Sequence, residues 1–108
     1  MNIRDMEHLK LKAEMAVILL KSMAHKDRLL ILCHLVGGEI SAGELSRMSS
    51  LSQSAFSQHL AILRDEKLVK IRRDAQTIYY SLDDFAVIEL LKTLKQVFCD
   101  DLNREENE

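Results

Sequence analysis

Apolar residues near the N-terminus, Met6, Leu9, Ala13, Ala16, Val17, Leu20 and Met23, recur at three- and four-residue steps. That spacing marks one face of a helix. Lys10, Lys12, Glu14 and Lys21 interrupt the stripe and are expected to face water. A second apolar segment, 29–36, stops at Gly37-Gly38, a pair suited to a helix C-terminus followed by a turn. Ser41-Ala42-Gly43-Glu44 then has the spacing of a capping box, in which the serine accepts from the Glu44 amide and the glutamate reaches back to the serine amide. The helix opened there is short, because a new start follows Met48-Ser49-Ser50-Leu51. Ser52 is a good N-cap, with Leu51 and Phe56 placed as a hydrophobic staple. Two serine-capped helices joined by a three- or four-residue turn form a helix-turn-helix.

After Glu66 the period changes from 3.6 to 2. Val69 and Ile71 alternate with Lys70 and Arg72; after a turn over 73–76, Ile78, Tyr80 and Leu82 alternate with Thr77, Tyr79 and Ser81. The pattern predicts a β-hairpin with one apolar and one basic, polar face. Asp83 is expected to cap a last helix reaching about Asp101, with Val87, Leu90, Leu91, Leu94, Phe98 and Leu102 on its apolar side. The order is α-α-α-α-β-β-α, a mainly α fold with a β-hairpin wing: a winged helix-turn-helix. No proline, repeat or low-complexity tract breaks it, so residues 1–102 read as one domain and 103–108 (NREENE) as an acidic, flexible tail.

Composition narrows the class. With 108 residues and 47% hydrophobic content, the chain supports one small packed core. The two cysteines are 66 positions apart, which excludes a disulfide-dense scaffold and any C-x-x-C motif. No signal-like run and no apolar stretch of about 18 residues occurs, so a soluble, cytoplasmic chain with no membrane partner is expected. The net charge of −2 is a poor summary of its distribution. Residues 52–73 set Arg64, Lys67, Lys70, Arg72 and Arg73 against Asp65 and Glu66, a balance of +3, while 100–108 carry five carboxylates and one arginine.

On the helix opening at Ser52, the pattern turns Ala55, Phe56, Leu60 and Leu63 inward and Gln53, Ser54, Ser57 and Gln58 outward, with Ala61 and Arg64 further along. Short polar side chains let a helix approach the floor of a DNA major groove, and glutamine pairs bidentately with adenine. The candidate DNA contacts are therefore Ser52, Gln53, Ser54, Ser57, Gln58, His59 and Arg64 on the helix, with Lys70, Arg72, Arg73 and Gln76 on the wing. For His59, a place against its own domain is an equal alternative.

Ser52-Gln53-Ser54-Ala55-Phe56-Ser57-Gln58-His59-Leu60, Leu63-Arg64, Leu68-Val69, Arg72-Arg73 and Tyr79-Tyr80-Ser81-Leu82 resemble the ArsR/SmtB family of small dimeric winged-helix regulators. The likeness covers about residues 15–100 and includes Ala24-His25-Lys26-Asp27-Arg28-Leu29-Leu30-Ile31-Leu32. It implies a homodimer through the first and last helices, bound to double-stranded DNA at an inverted-repeat operator. Where arsenic and cadmium sensors carry C-x-C-[DE]-L, this chain reads Ser41-Ala42-Gly43-Glu44-Leu45, and residues 83–101 lack the histidine of the zinc sensors. No metal site and no cofactor are expected. Cys33 and Cys99 instead resemble the family's dithiol branch, which senses oxidants or reactive sulfur species, while Ala16-Val17, Leu19-Leu20-Lys21, Met23-Ala24 and Ile31-Leu32-Cys33 resemble its virulence-gene activators, a likeness that implies activation by displacing a silencing protein. The resemblance implies a switch in which linking Cys33 to Cys99 lowers operator affinity. The alternatives are purely structural cysteines, or a metal site using Cys33, Cys99 and His34, although His34 points about 100° away from Cys33 on an ideal helix. A protein-docking winged helix is a further class. Catalysis has no support, since the chain has no nucleophile elbow, phosphate-cradling glycine loop or H-E-x-x-H.

Overall fold

A computed structural model describes the backbone of residues 2–107 and the side chains of residues 2–99. The N-terminal stripe forms α1 (Ile3–Met23), whose first turn is capped by Asn2, the side chain accepting from the Asp5 amide at 2.8 Å. After a break at Ala24-His25, α2 (Lys26–His34) begins with the His25 ring as its N-cap, and it ends in a 3-10 turn over Leu35–Gly37. Gly38 follows at φ 132°, a conformation that glycine alone adopts readily.

Next come β1 (Ile40–Ser41), α3 (Ala42–Ser49), α4 (Gln53–Asp65), the hairpin strands β2 (Val69–Asp74) and β3 (Thr77–Leu82), and α5 (Phe85–Asn107). The winged helix-turn-helix expected from the pattern is therefore present, with four departures. A short extra strand, β1, completes an antiparallel sheet ordered β1-β3-β2, pairing Ile40 with Tyr80 and Ser41 with Tyr79. Only half of the expected capping box forms. Ser41 Oγ accepts from the Glu44 amide at 3.3 Å, but Ser41 itself lies in a strand and no return bond from the Glu44 carboxylate is present among the described residues. The last helix is capped by Asp84 rather than Asp83: Asp84 Oδ1 accepts from the Ala86 amide at 2.8 Å, while the Asp83 amide donates to the Leu68 carbonyl and extends the sheet. This helix runs to Asn107, past the expected end at Asp101, because 102–107 contain no glycine or proline to stop it. Side chains from residue 100 on, and with them the charges of the acidic tail expected over 103–108, lie outside the described residues.

The core joins α2, α3, α4, the sheet and the start of α5. Ile31, Leu32, Leu45, Leu63, Leu68, Val87 and Leu91 are fully or almost fully buried in it, with Phe56 and Leu60 contributed by α4. Most of α1 contributes little, since only Ser22 and Met23 are buried there.

Candidate nucleic-acid interface

The α3–α4 turn is three residues long, with Ser50 in the left-handed region at φ 59°. Ser52 Oγ accepts from the Ala55 amide at 3.1 Å and starts α4. Leu51 and the buried Phe56 pack on the same core, as a hydrophobic staple requires. The apolar side of α4 is thereby fixed to the domain. Ser54, Ser57, Gln58, Ala61 and Arg64 are left exposed on the other side. Gln53 is exposed but tethered, its side-chain oxygen accepting from the Ser46 hydroxyl of α3 at 3.2 Å. Ala42, Tyr80, Gln53, Ser57, Ala61 and Arg64 line one shallow groove between α4 and the sheet.

The C-terminus of α4 aims the wing. Lys67 takes φ 63°, its amide donating to the Arg64 carbonyl and the Leu68 amide to the Leu63 carbonyl. This is a Schellman motif, sealed by the fully buried Leu63 and Leu68. The hairpin closes through Ala75-Gln76, with Ala75 at φ 56°. Gln76 is at the exposed tip.

Strand register separates the basic side chains. Lys70 and Arg72 pair with Ser81 and Tyr79 on one face, whereas Arg73 pairs with Ile78 on the face that carries Val69 and Ile71. The pattern-based turn over 73–76 is shorter than expected, which moves Arg73 into β2. Arg72 is engaged within the protein. Its guanidinium makes a forked pair with Glu39 (Nη2 to Oε1 2.6 Å, Nε to Oε2 3.0 Å) and lies 4.4 Å from the Tyr79 ring centroid. The hydrogen bond to Arg72 holds the Glu39 carboxyl below the usual carboxylate range and raises Arg72 in turn. Lys70 has only a loose contact to Asp83 at 4.0 Å. Among the described residues, Arg64, Lys67 and Arg73 have no carboxylate within salt-bridge distance.

His59 turns away from Gln58 and toward α2. Its ring centroid lies 4.5 Å from that of His25, and its Nδ1 is 3.5 Å from Arg28 Nη1. Burial, then the His25 and Arg28 charges, push the imidazole below its usual range, with Asp27 acting the other way. The structure thus gathers Ser54, Ser57, Gln58 and Arg64 on one exposed face, and sets His59 and Arg72 into contacts of their own.

The two cysteines are free thiols. Cys33 is half-buried against the core and Cys99 is exposed on α5. Burial pushes the Cys33 thiol up; the Lys95 charge opposes this and Cys99 adds to it. Because α5 continues to Asn107, Cys99 sits about two turns before its end, outside the reach of the C-terminal dipole expected from the sequence. His34 is half-buried and, among the described residues, joins no group of metal-spaced ligands with either cysteine.

An exposed, short polar helix face, a staple that fixes its tilt and a twisted basic hairpin beside it define a winged helix-turn-helix protein. The family model described as "Bacterial regulatory protein, arsR family" matches residues 25–70. The chain is 52% identical over 96 residues to the HTH-type transcriptional regulator YgaV of Escherichia coli K12, covering 88% of this chain and 97% of YgaV. It is 48% identical over 99 residues to the transcriptional activator HlyU of Vibrio cholerae, covering 92% of this chain and 89% of HlyU. Among solved structures, reduced HlyU from Vibrio cholerae N16961 superposes with a TM-score of 0.81 at 45% identity, covering 86% of this chain and 98% of that one. This chain belongs to the ArsR family of bacterial regulatory proteins.

Proposed function

We propose that the protein is a dimeric, sequence-specific DNA-binding transcription regulator whose operator affinity is lowered when Cys33 and Cys99 are linked. The observation that carries the DNA reading is the α4 face: Ser54, Ser57 and Gln58 exposed on a helix whose opposite side is locked into the core. Arg64, Arg73, Lys67 and Lys70 flank it and supply the phosphate contacts. Gln76 at the wing tip adds a polar contact beside the groove entered by α4. Relatives described as transcriptional regulators, an activator and biofilm growth-associated repressors support the class. The sign of regulation then depends on where the operator lies relative to the promoter. The experiment is selection of bound genomic duplexes followed by footprinting, with two protected half-sites about one helical turn apart expected. Binding that ignores sequence would contradict the reading.

The dimer reading rests on uncovered apolar surface. Leu9, Val17 and Leu20 of α1 and Leu90, Leu94, Val97 and Phe98 of α5 are all more than a third exposed. Leu20, Met23, Leu29, Leu90 and Leu94 line an open apolar groove between α1, α2 and α5. A second copy covering both terminal helices buries this surface and places two α4 helices on one duplex face.

The thiol reading rests on two free thiols carried by helices that pack against one another, Cys33 on α2 and Cys99 on α5. A peroxide takes two electrons and two protons from the thiols as the S–S bond forms and leaves as water; a disulfane does the same and leaves as two molecules of hydrogen sulfide. Exposure favours Cys99 as the thiolate that first attacks the oxidant; Cys33, whose thiolate burial disfavours, loses its proton as it attacks the oxidised Cys99 sulfur and closes the S–S bond. Mass spectrometry after peroxide or polysulfide treatment, paired with duplex binding by wild type and Cys33→Ser, tests the switch. Unchanged duplex affinity after complete linkage would sink it.

A further inference from the structure

His25, Asp27 and His59 meet at the junction of α2 and α4, each offering one ligand atom, all within 4.8 Å of one another. We infer that these three side chains form a binding site for a borderline divalent transition-metal ion, Zn²⁺ or Co²⁺, that ties the recognition helix to the start of α2. Two imidazoles and one carboxylate are the donor set such ions take, with the fourth position left to water. Metal bonds of about 2.0–2.1 Å set neighbouring tetrahedral ligand atoms about 3.3 Å apart, so the site closes by roughly 1.5 Å at most. Side-chain rotation supplies that closure, because His25 is exposed and the other two are half-buried.

The bonds these rings give up are weak. His25 Nδ1 accepts from the Asp27 amide at 3.2 Å, and His59 Nδ1 faces Arg28 at 3.5 Å, both long for hydrogen bonds. A neutral imidazole keeps one ring nitrogen with a free lone pair, and one nitrogen of each ring meets the 4.8 Å spacing. Asp27 contributes the negative charge. Arg28 opposes the cation, but its Nε is committed to the Ser22 carbonyl at 2.7 Å. The absence of a metal expected from the sequence rested on other positions, on α3 and α5. The site here is assembled from a cap, a first-turn acid and a helix 34 residues away in sequence, which no local spacing reveals.

The test is zinc titration of the full chain carrying Cys33→Ser and Cys99→Ser, so that thiolates take no part. One zinc per protomer is expected, and cobalt should give visible bands of tetrahedral intensity. His25→Asn keeps a good N-cap while removing the imidazole, and His59→Gln keeps a polar side chain of similar size. Each should weaken zinc binding at least tenfold with unchanged helical circular dichroism. Zinc affinity unchanged in either variant, or no binding at millimolar zinc, would overturn the site. A second arm rests on α4 reading DNA: saturating zinc should change duplex affinity severalfold, and should not in His25→Asn. Bound zinc with unchanged duplex affinity would overturn the coupling alone, and absence of duplex binding in zinc-free protein would count against the DNA reading instead.

Discussion

Arg72 and Arg73 are neighbours in sequence, and the sheet gives them opposite circumstances. Arg72 is held by Glu39 and Tyr79, whereas Arg73 has no carboxylate near it among the described residues. Sequence ranked them equally because Glu39 lies 33 positions away, brought close by a strand too short to read from pattern. Arg73→Ala should therefore weaken binding to all duplexes alike and lower the slope of log affinity against log salt by about 1. Glu39→Gln should release Arg72 and steepen that slope, as salt-dependent anisotropy titrations would show. Gln58 is free to meet a base edge, and Gln58→Ala should lose roughly 1–3 kcal/mol at particular base pairs only, measured by competition with base-substituted duplexes. His59 is the residue for which sequence left two places open, and it faces α2. Its pKa lies below the ordinary 6.5, chiefly through burial and then through His25 and Arg28, against Asp27. The unfolded chain therefore takes up a proton before the folded one does. Folding stability should be full above the ordinary imidazole range and should fall as pH drops through it toward the lower folded value. Urea unfolding at about pH 7.5 and about pH 5.5 should show this slope, and His59→Gln should flatten it.

The elements themselves were largely legible because their ends carry side-chain chemistry. Asn2, Ser41, Ser52 and Asp84 all accept from an amide in the first turn of a helix, and short polar residues before apolar periodicity announce such starts. Asp83 and Asp84 offer the same cap one residue apart, and only the bond from the Asp83 amide to Leu68 decides between them. The Schellman motif after α4 was not legible, because Lys67 occupies the left-handed position where glycine is the usual signal. Lys67→Gly should relieve that conformation and raise stability by about 0.5–1 kcal/mol in denaturant melts, while removing one basic group from the duplex face. Ser52→Ala should act oppositely, costing about 1 kcal/mol through the lost bond to the Ala55 amide. β1 escaped notice because two residues carry no period, yet it supplies the strand from whose approach Glu39 reaches Arg72.

At the scale of the whole molecule, one copy is too open for its length. Its radius of gyration is 16.5 Å, against about 13 Å for a compact domain of this size. Its accessible surface is 7993 Å², against about 6,100 Å² expected for a monomer of 12.4 kDa. The excess, nearly 2,000 Å², is of the size one partner buries in a large, obligate-type interface, and α1 and α5 carry most of the exposed large apolar side chains. Those stripes were plain in the sequence, and the family resemblance implied a partner for them, although periodicity alone marks an apolar face without saying what covers it. Val97→Glu together with Leu9→Glu should shift sedimentation from dimer to monomer and remove operator binding while α4 stays intact. The central claim, that a dimer reads base sequence through two α4 faces, meets its most direct test in one anisotropy titration. A duplex bearing the selected inverted repeat is compared with one whose half-sites are scrambled, at fixed salt. The account predicts binding to the intact repeat about a thousandfold tighter or more. Equal affinity for the two duplexes would contradict it.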